Sequence, residues 1–298
     1  MNRYTFIILS FLAATLYGCA DDFINEEEEE KIVVEGWIKQ GDYPLVMLTT
    51  SLPVSTDEKP VDGLKDRVAN WAVVTVSDGE KSVTLTGMYD KRYMPPYIYT
   101  TADMKGEVGK TYTLTVRYKN MYATATTTIP EPVPLKEIRQ EKVYGSDSLY
   151  CLSAVFNDMP GRQFYSLFAK KGTETPQFVK CDMGTFDDSI LGEGETEIVH
   201  PVYQPRLVTD TKKEHSEYYK LGDAVCVELC TLDEQSYGIW YDYQNTASLS
   251  GNFFSPYTSN IRSNISGGYG YWCGYGASSM WVRVGDSNIT KSDVYASL

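Results

Sequence analysis

Apolar and polar residues alternate with a period of two along much of residues 31–130, which is typical of half-buried β-strands. In residues 31–39, for example, Ile32 and Val34 fall on one face and Glu35 falls on the other. This pattern predicts strands at 31–39, 44–50, 71–77, 81–86, 110–118 and 121–129. Because β-branched and aromatic residues are frequent and the turns are short, we expect an immunoglobulin-like β-sandwich of about seven strands.

Alternate prolines then interrupt the strand pattern at Pro130, Pro132 and Pro134. Because proline cannot donate to a sheet ladder, residues 131–135 are predicted to form a stiff linker. A second, β-rich domain is expected over residues 136–298. Its predicted strands are 136–143, 150–156, 164–170, 198–203, 224–230 and 279–284.

One or two short helices are expected in this second domain. Thr231 and Glu234 have the spacing of a capping box, in which each side chain binds an exposed amide of the first helical turn. A helix capped by Thr231 is therefore predicted. The whole chain is predicted to have a mainly β fold.

The first residues have the order of a secretory signal peptide: a positive residue, Arg3, an apolar run, and a small residue before a cysteine. The apolar run is too short to span a bilayer, which takes about 20 residues. Residues 1–18 therefore predict a signal peptide with a lipobox, and Cys19 is predicted to be the lipidated first residue of the mature protein. The alternative is an ordinary signal peptide with a chance cysteine.

Residues 19–30 predict an acidic, flexible tether, because residues 26–30 are all glutamate and like charges resist compaction. Asp21 and Asp22, directly after the cysteine, are similar to the surface-export signal of Bacteroidota lipoproteins. We therefore expect a lipid-anchored protein of the outer membrane that faces the cell exterior. The alternative is that the acidic segment is only a spacer.

The chain is acidic, with a formal charge of −13 that becomes −14 when Arg3 is removed. Phosphate backbones and anionic lipid headgroups repel such a body, so nucleic acid is not an expected partner. Membrane attachment is expected to come from the acyl anchor and not from a basic patch.

Five cysteines remain once Cys19 is lipidated, and five cannot all pair within one chain. Two of them lie four residues apart on a predicted strand, about 13 Å from each other and beyond disulfide reach. They are expected to be buried structural residues, because free cysteine is among the most buried residue types. The roles of all five are left open: Cys151, Cys181, Cys226, Cys230 and Cys273.

Glycine and aromatic residues alternate densely in residues 263–276. Tyr269, Tyr271 and Trp272 are candidate ligand-binding residues, because flat rings can stack on a sugar or a peptide. The alternative is a tight loop that packs its aromatic residues onto the core. A nucleotide-binding loop is excluded, since the third Rossmann glycine and the Lys-Ser/Thr pair are both missing.

Several short motifs occur in a fixed order along the chain. They are the lipobox at Cys19, Val33-Val34-Glu35-Gly36-Trp37-Ile38, residues 122–130, Phe156-Asn157-Asp158 with Pro160-Gly161, and residues 263–268 leading to Gly270 and Gly274. In this respect the chain resembles the Bacteroidota lipoproteins grouped as domain of unknown function 4249. The resemblance implies an outer-membrane lipoprotein that is encoded beside a TonB-dependent receptor and is accessory to uptake. It supplies no catalytic residues.

No catalytic motif stands out: the nucleophile elbow and the zinc helix are both missing, and His200 and His215 lie outside any known pattern. Paired carboxylates are the only remaining chemistry. Candidates for a hydrolase are Asp182, Asp187, Asp188, Glu193, Glu195 and Glu197. Asp187 with Asp188 is also a candidate for calcium binding with loop carbonyls.

The sequence therefore predicts a non-catalytic accessory or binding subunit of a TonB-dependent transporter, without cofactor or metal. An independent surface binder of glycan, peptide or host protein is the first alternative. A carboxylate hydrolase is the second.

Overall fold

The structure, a computed structural model, describes residues 30–51, 67–172, 177–192, 194–205, 216–250 and 261–285. The predictions for Cys19, Asp21, Asp22 and His215 therefore concern residues outside the described ones. The predicted mainly β fold is confirmed.

The strands in chain order are β1 (Ile32–Lys39), β2 (Leu45–Thr50), β3 (Val73–Ser77), β4 (Ser82–Thr84), β5 (Thr86–Tyr89), β6 (Tyr97–Thr100), β7 (Thr111–Tyr118), β8 (Met121–Thr128), β9 (Leu135–Lys142), β10 (Leu149–Asn157), β11 (Phe164–Lys171), β12 (Val179–Asp187), β13 (Glu197–Pro201), β14 (Tyr219–Lys220), β15 (Ala224–Leu232) and β16 (Gly268–Arg283). A helix, α1, spans Glu234–Ser250, and a 3₁₀ helix spans Asp188–Ile190.

The strands form three sheets. The largest has eight strands in the order β12-β11-β15-β16-β1-β2-β6-β5. One smaller sheet has the order β4-β3-β7-β8, and the other is built around β10 with β9, β13 and β14. In the large sheet, β1 pairs in parallel with β16, although they lie at opposite ends of the described chain.

The large sheet therefore contains strands from both halves of the sequence. The predicted linker, residues 131–135, contributes Val133 and Leu135 to the core shared with the β10 sheet, and Leu135 begins β9. The large sheet continues across this segment of the sequence. The first eight strands consequently do not form an isolated pair of sheets. The immunoglobulin-like arrangement and the division into two domains stay predictions.

The two faces of the large sheet pack against different partners. On one face, Trp272 packs in the core shared with the β3-β7 sheet, and Leu229 packs in the core shared with the β10 sheet. On the other face, Tyr271 and Cys230 pack in a third cluster together with α1. The register of β16 with β1 and β15 places these residues on alternate faces, as the period of a strand requires.

The predicted capping residue was wrong: the helix is capped by Asp233 and not by Thr231. Thr231 lies within β15, and its hydroxyl accepts a hydrogen bond from the Val133 amide at 3.3 Å. The N-cap is Asp233, whose carboxylate accepts from the Ser236 amide at 2.7 Å and whose carbonyl accepts from the Tyr237 amide at 2.9 Å. Strand pairing extends β15 beyond the threonine, so the helix begins two residues later than a threonine cap would allow.

Candidate functional site

Residues 268–276 of the glycine-aromatic segment form the start of strand β16 and not a loop. Trp272 is fully buried, and its ring N–H donates to the Tyr112 carbonyl at 3.0 Å. Tyr271 is 5% exposed, whereas Tyr269 is 43% exposed. Of the three candidate ligand-binding residues, only Tyr269 therefore presents its ring to solvent, and the geometry of the other two favours the packing alternative.

The glycines of this segment allow β16 to lie against neighbouring backbone. A Cβ at Gly274 would stand 2.7 Å from the Thr128 carbonyl oxygen, and one at Gly276 would stand 2.3 Å from that of Pro130. Real Cβ atoms do not approach so closely. The glycines thus serve close packing of the strand.

A partly buried carboxyl group, that of Glu35, lies on the helix-bearing face of the large sheet. In the register of the sheet it stands beside Tyr271, and its charge also acts on Tyr243 of α1. Burial raises the pKa of Glu35 from 4.5 to about 7. Within the described part of the chain, no hydrogen bond or ion pair reaches this carboxyl group. It can therefore exchange a proton near neutral pH or attract a cation.

A second charged group on the same face is the ion pair between Lys39 and Glu228. The two side chains are 15% and 9% exposed, and Lys39 Nζ lies 3.0 Å from Glu228 Oε1. Burial lowers the pKa of Lys39, but the attraction of Glu228 outweighs it, so the net direction is upward. The Lys39 ammonium also lies 5.0 Å from the Phe178 ring centre. Lys39 and Glu228 satisfy each other's charge, so we interpret the pair as structural.

Four of the acidic residues proposed for a hydrolase make local contacts. Asp187 caps the 3₁₀ helix, and Asp188 accepts from the Gln163 amide at 2.8 Å. Glu195 accepts from the Gly192 amide at 3.1 Å, and Glu197 pairs with a lysine. Glu193 lies outside the described residues. Among the residues that the structure describes, no group of three metal-ligating side chains converges.

His200 stacks on Phe186, with ring centres 3.8 Å apart, and burial lowers its pKa to about 4. It is therefore a neutral packing residue at physiological pH.

The five cysteines among the described residues are free thiols, and they differ in exposure. Cys151 is exposed. The remaining four are buried, as the sequence predicted for Cys226 and Cys230: Cys181, Cys226, Cys230 and Cys273. Burial raises the pKa of the buried thiols, which disfavours their reactive thiolate form.

A shallow groove of about 320 Å³ lies where the proline segment crosses β16. Its walls are Pro132, Pro134 and the adjoining backbone of residues 277–279. The groove contains no titratable side chain, so it offers a surface for contact and no acid–base chemistry.

Sequence reasoning placed Glu35 on the correct face but did not assign it a role. The available signal was a single acidic residue in an otherwise apolar strand, next to Val33 and Trp37. No sequence signal indicated that Glu228 would be buried beside Lys39, because these residues are 189 positions apart.

The fold and this site together define a class of protein: a mainly β protein whose largest sheet carries a helix on one face. The same face holds the carboxyl group of Glu35 and the ion pair between Lys39 and Glu228. No described helix is long and apolar enough to cross a membrane. The chain belongs to the family described as Domain of unknown function (DUF4249), whose model matches residues 21–280. No curated protein matches the chain.

Proposed function

We propose that the protein is a Bacteroidota lipoprotein of the outer membrane, facing the cell exterior, and a non-catalytic accessory or binding subunit of a TonB-dependent uptake system. The observation that carries this proposal is the signal-like segment, residues 1–18, directly before Cys19, in a chain whose family match begins at residue 21. The link to a transporter comes from the resemblance of the ordered motifs to lipoproteins encoded beside such receptors.

The folded body begins close to this anchor. Ile32 is fully buried and follows Cys19 by 13 positions. An acyl chain on Cys19 would therefore hold the body near the membrane through a short segment.

The chemistry of the described residues supports a binding role. Four of the carboxylates suggested for catalysis cap a helix, accept backbone hydrogen bonds or form ion pairs: Asp187, Asp188, Glu195 and Glu197. Binding through surfaces needs none of these groups to be free, whereas hydrolysis needs two carboxylates facing one substrate.

The anchor is tested by metabolic labelling with a palmitate analogue. Labelling should be lost in Cys19→Ser and retained in Cys151→Ser, a matched control because Cys151 is the exposed free cysteine of the body. Equal labelling of both variants would contradict the lipoprotein assignment.

Surface exposure is tested by protease treatment of intact cells. The wild-type protein should be digested, and Asp21→Asn with Asp22→Asn should protect it by retaining it inside the cell envelope. Full protection of the wild type would contradict the export assignment.

The partner is tested by mild-detergent purification from native outer membranes, with mass spectrometry of what accompanies the protein. We expect a TonB-dependent receptor in stoichiometric amount. Recovery of the lipoprotein alone, over several salt and detergent conditions, would favour the independent surface binder.

A further inference from the structure

One end of the molecule combines exposed aromatic residues with cations. This end, which we call the β1 end, is where the chain enters β1, and it is defined by Lys31, Trp71, Arg117, Tyr122 and Tyr269. Strand register brings these residues together, because β1 and β16 begin side by side and the bridge between residues 124 and 266 attaches the start of β8.

The aromatic residues at this end are unusually exposed. Trp71 is 88% exposed, Tyr122 is 51% exposed and Tyr269 is 43% exposed. Val73, which follows Trp71 into β3 and pairs with Arg117 of β7, is 55% exposed. Large apolar side chains gathered in this way on a folded surface mark an interaction site.

Cations lie directly over the rings. Lys31 Nζ is 5.0 Å from the Tyr269 ring centre, and the Arg117 guanidinium is 5.8 Å from that of Tyr122. In the β7–β8 turn, Lys119 Nζ is 5.1 Å from the ring centre of its neighbour Tyr118. These contacts hold both the rings and the charges at the surface.

Among the residues that the structure describes, cations outnumber carboxylates at the β1 end, whereas the whole chain is acidic. The cations of the β1 end are Lys31 and Arg117, with Lys119 in the adjoining β7–β8 turn and Arg67 close to the residue before Lys31. Within the described residues, Arg67 forms an ion pair with Glu30 at 3.5 Å. The chain as a whole carries a formal charge of −13. A local positive patch on an acidic protein is attractive to phosphate groups that the remaining surface repels.

Chain length limits the distance between this end and the anchor. Glu30, the first described residue, follows the predicted lipid attachment at Cys19 by 11 positions, and each position spans at most about 3.5 Å. With Cys19 in the bilayer, the β1 end can therefore stand no more than about 40 Å from the headgroups.

We propose that the β1 end is a membrane-docking face that rests on phosphate-bearing lipid headgroups. Tryptophan and tyrosine favour the depth of the headgroups, where one side of the ring is apolar and the other is wet, and lysine and arginine reach the phosphates. The proposal deepens the proposed function, since the anchor is what brings this face to the bilayer. It also replaces the expectation that membrane attachment depends on the acyl anchor alone. A single acyl chain binds a membrane only weakly, and a second contact through the protein surface makes the attachment stable.

The test uses the unlipidated mature chain, Cys19→Ser, so that docking is measured without the anchor. Partition is measured by sedimentation with vesicles of phosphatidylethanolamine and phosphatidylglycerol, and with vesicles of phosphatidylcholine alone. Emission of Trp71 should shift to the blue on binding, and Trp71→Phe should remove that shift while retaining partition.

Variants at the β1 end should weaken partition, by about fivefold for each of Arg117→Gln and Lys119→Gln, since each cation near an anionic surface contributes about 1 kcal/mol. Trp71→Ala should also weaken it. Matched controls in the second half of the chain, Lys220→Gln and the fully exposed Tyr144→Ala, should leave it unchanged. Circular dichroism checks that each variant is folded.

The proposal would be overturned if the test and control variants lost vesicle partition equally. It would also be overturned if the Cys19→Ser chain without further substitutions did not partition to vesicles. Partition that appears only when the glutamates of residues 26–30 are replaced by glutamine would also overturn it. That result would mean that these glutamates, and not lipid phosphates, pair with the cations of the β1 end. Loss of a co-purified protein in Trp71→Ala with unchanged vesicle binding would make the face a protein contact instead. Palmitate labelling of Cys19 is read separately, so failure of docking and failure of the anchor are distinguished.

Discussion

Replacement of Glu35 by glutamine tests the electrostatics of the large sheet. Glutamine keeps the shape of the side chain but cannot ionise. Because burial raises the pKa of Glu35 to about 7, the folded protein binds this proton more tightly than the unfolded chain does. The wild type therefore carries a stability contribution that is complete below pH 4.5 and is lost as pH rises through about 7.

The magnitude follows from the two pKa values. The gap between 4.5 and about 7, at about 1.4 kcal/mol for each unit of pKa, corresponds to about 3.5 kcal/mol of unfolding free energy. The side chain keeps some contact with solvent, so this figure is an upper bound. Relative to wild type, Glu35→Gln should gain up to this amount between pH 5 and pH 7.5.

The assay is urea unfolding of both proteins at a series of pH values. The comparison must be a difference between the two proteins, because burial lowers the pKa of His200 to about 4 and so makes wild-type stability rise with pH in part of the same range. Glu197→Gln is the control: the pKa of its carboxyl group is lowered, chiefly by the hydrogen bond from Lys136, so its contribution to stability is present above pH 4.5 and is lost only at acid pH. The difference between Glu197→Gln and wild type should therefore be constant from pH 5 to pH 7.5.

A difference between Glu35→Gln and wild type that stays constant from pH 5 to pH 7.5 would refute this reasoning. It would mean that Glu35 is fully solvated or that a cation neutralises it in the folded state.

Three further predictions concern packing. Trp272→Ala should cost about 3–5 kcal/mol of unfolding free energy in urea melts, whereas Tyr269→Ala should cost well under 1 kcal/mol, because only the first ring is buried; equal costs would contradict the assigned faces of β16. Gly274→Ala should lower the melting temperature sharply in calorimetry, because its Cβ would meet β8 backbone at 2.7 Å, and an unchanged melting temperature would argue against that close approach. Lys39→Met should cost about 3–5 kcal/mol by leaving Glu228 buried and unpaired, and adding Glu228→Gln should restore part of it in a double-mutant cycle; strictly additive losses would show that the pair does not interact.

The sequence predicted those strands whose signal is local. β1, β2, β7 and β8 all match predicted segments within one or two residues, because period-two alternation and short turns are contained in the strands themselves. β12 was missed, since it contains Gly184 and a bulge near Met183, which has a positive φ of 49°. Bulges interrupt the alternation that sequence reasoning depends on.

The first half of β16 was missed for a different reason. Its glycines were interpreted as turn residues, but Tyr269, Tyr271 and Tyr275 occupy alternate positions, which is itself a period-two signal. The exposure of each ring could not be predicted, because it depends on the parallel pairing with β1 more than 200 residues away. Local sequence contains no information on such a partner.

The position of β1 has a mechanical consequence. It is hydrogen-bonded on one side to β2, from Ile32 to Trp37, and on the other to β16, from Ile32 to Lys39. A force applied to the chain ahead of Ile32 acts along the strand, so both ladders bear the load in shear and cannot open one bond at a time. Detachment under tension then requires sliding a whole strand out of the middle of the sheet. A body built in this way can be pulled by its N-terminus without unravelling.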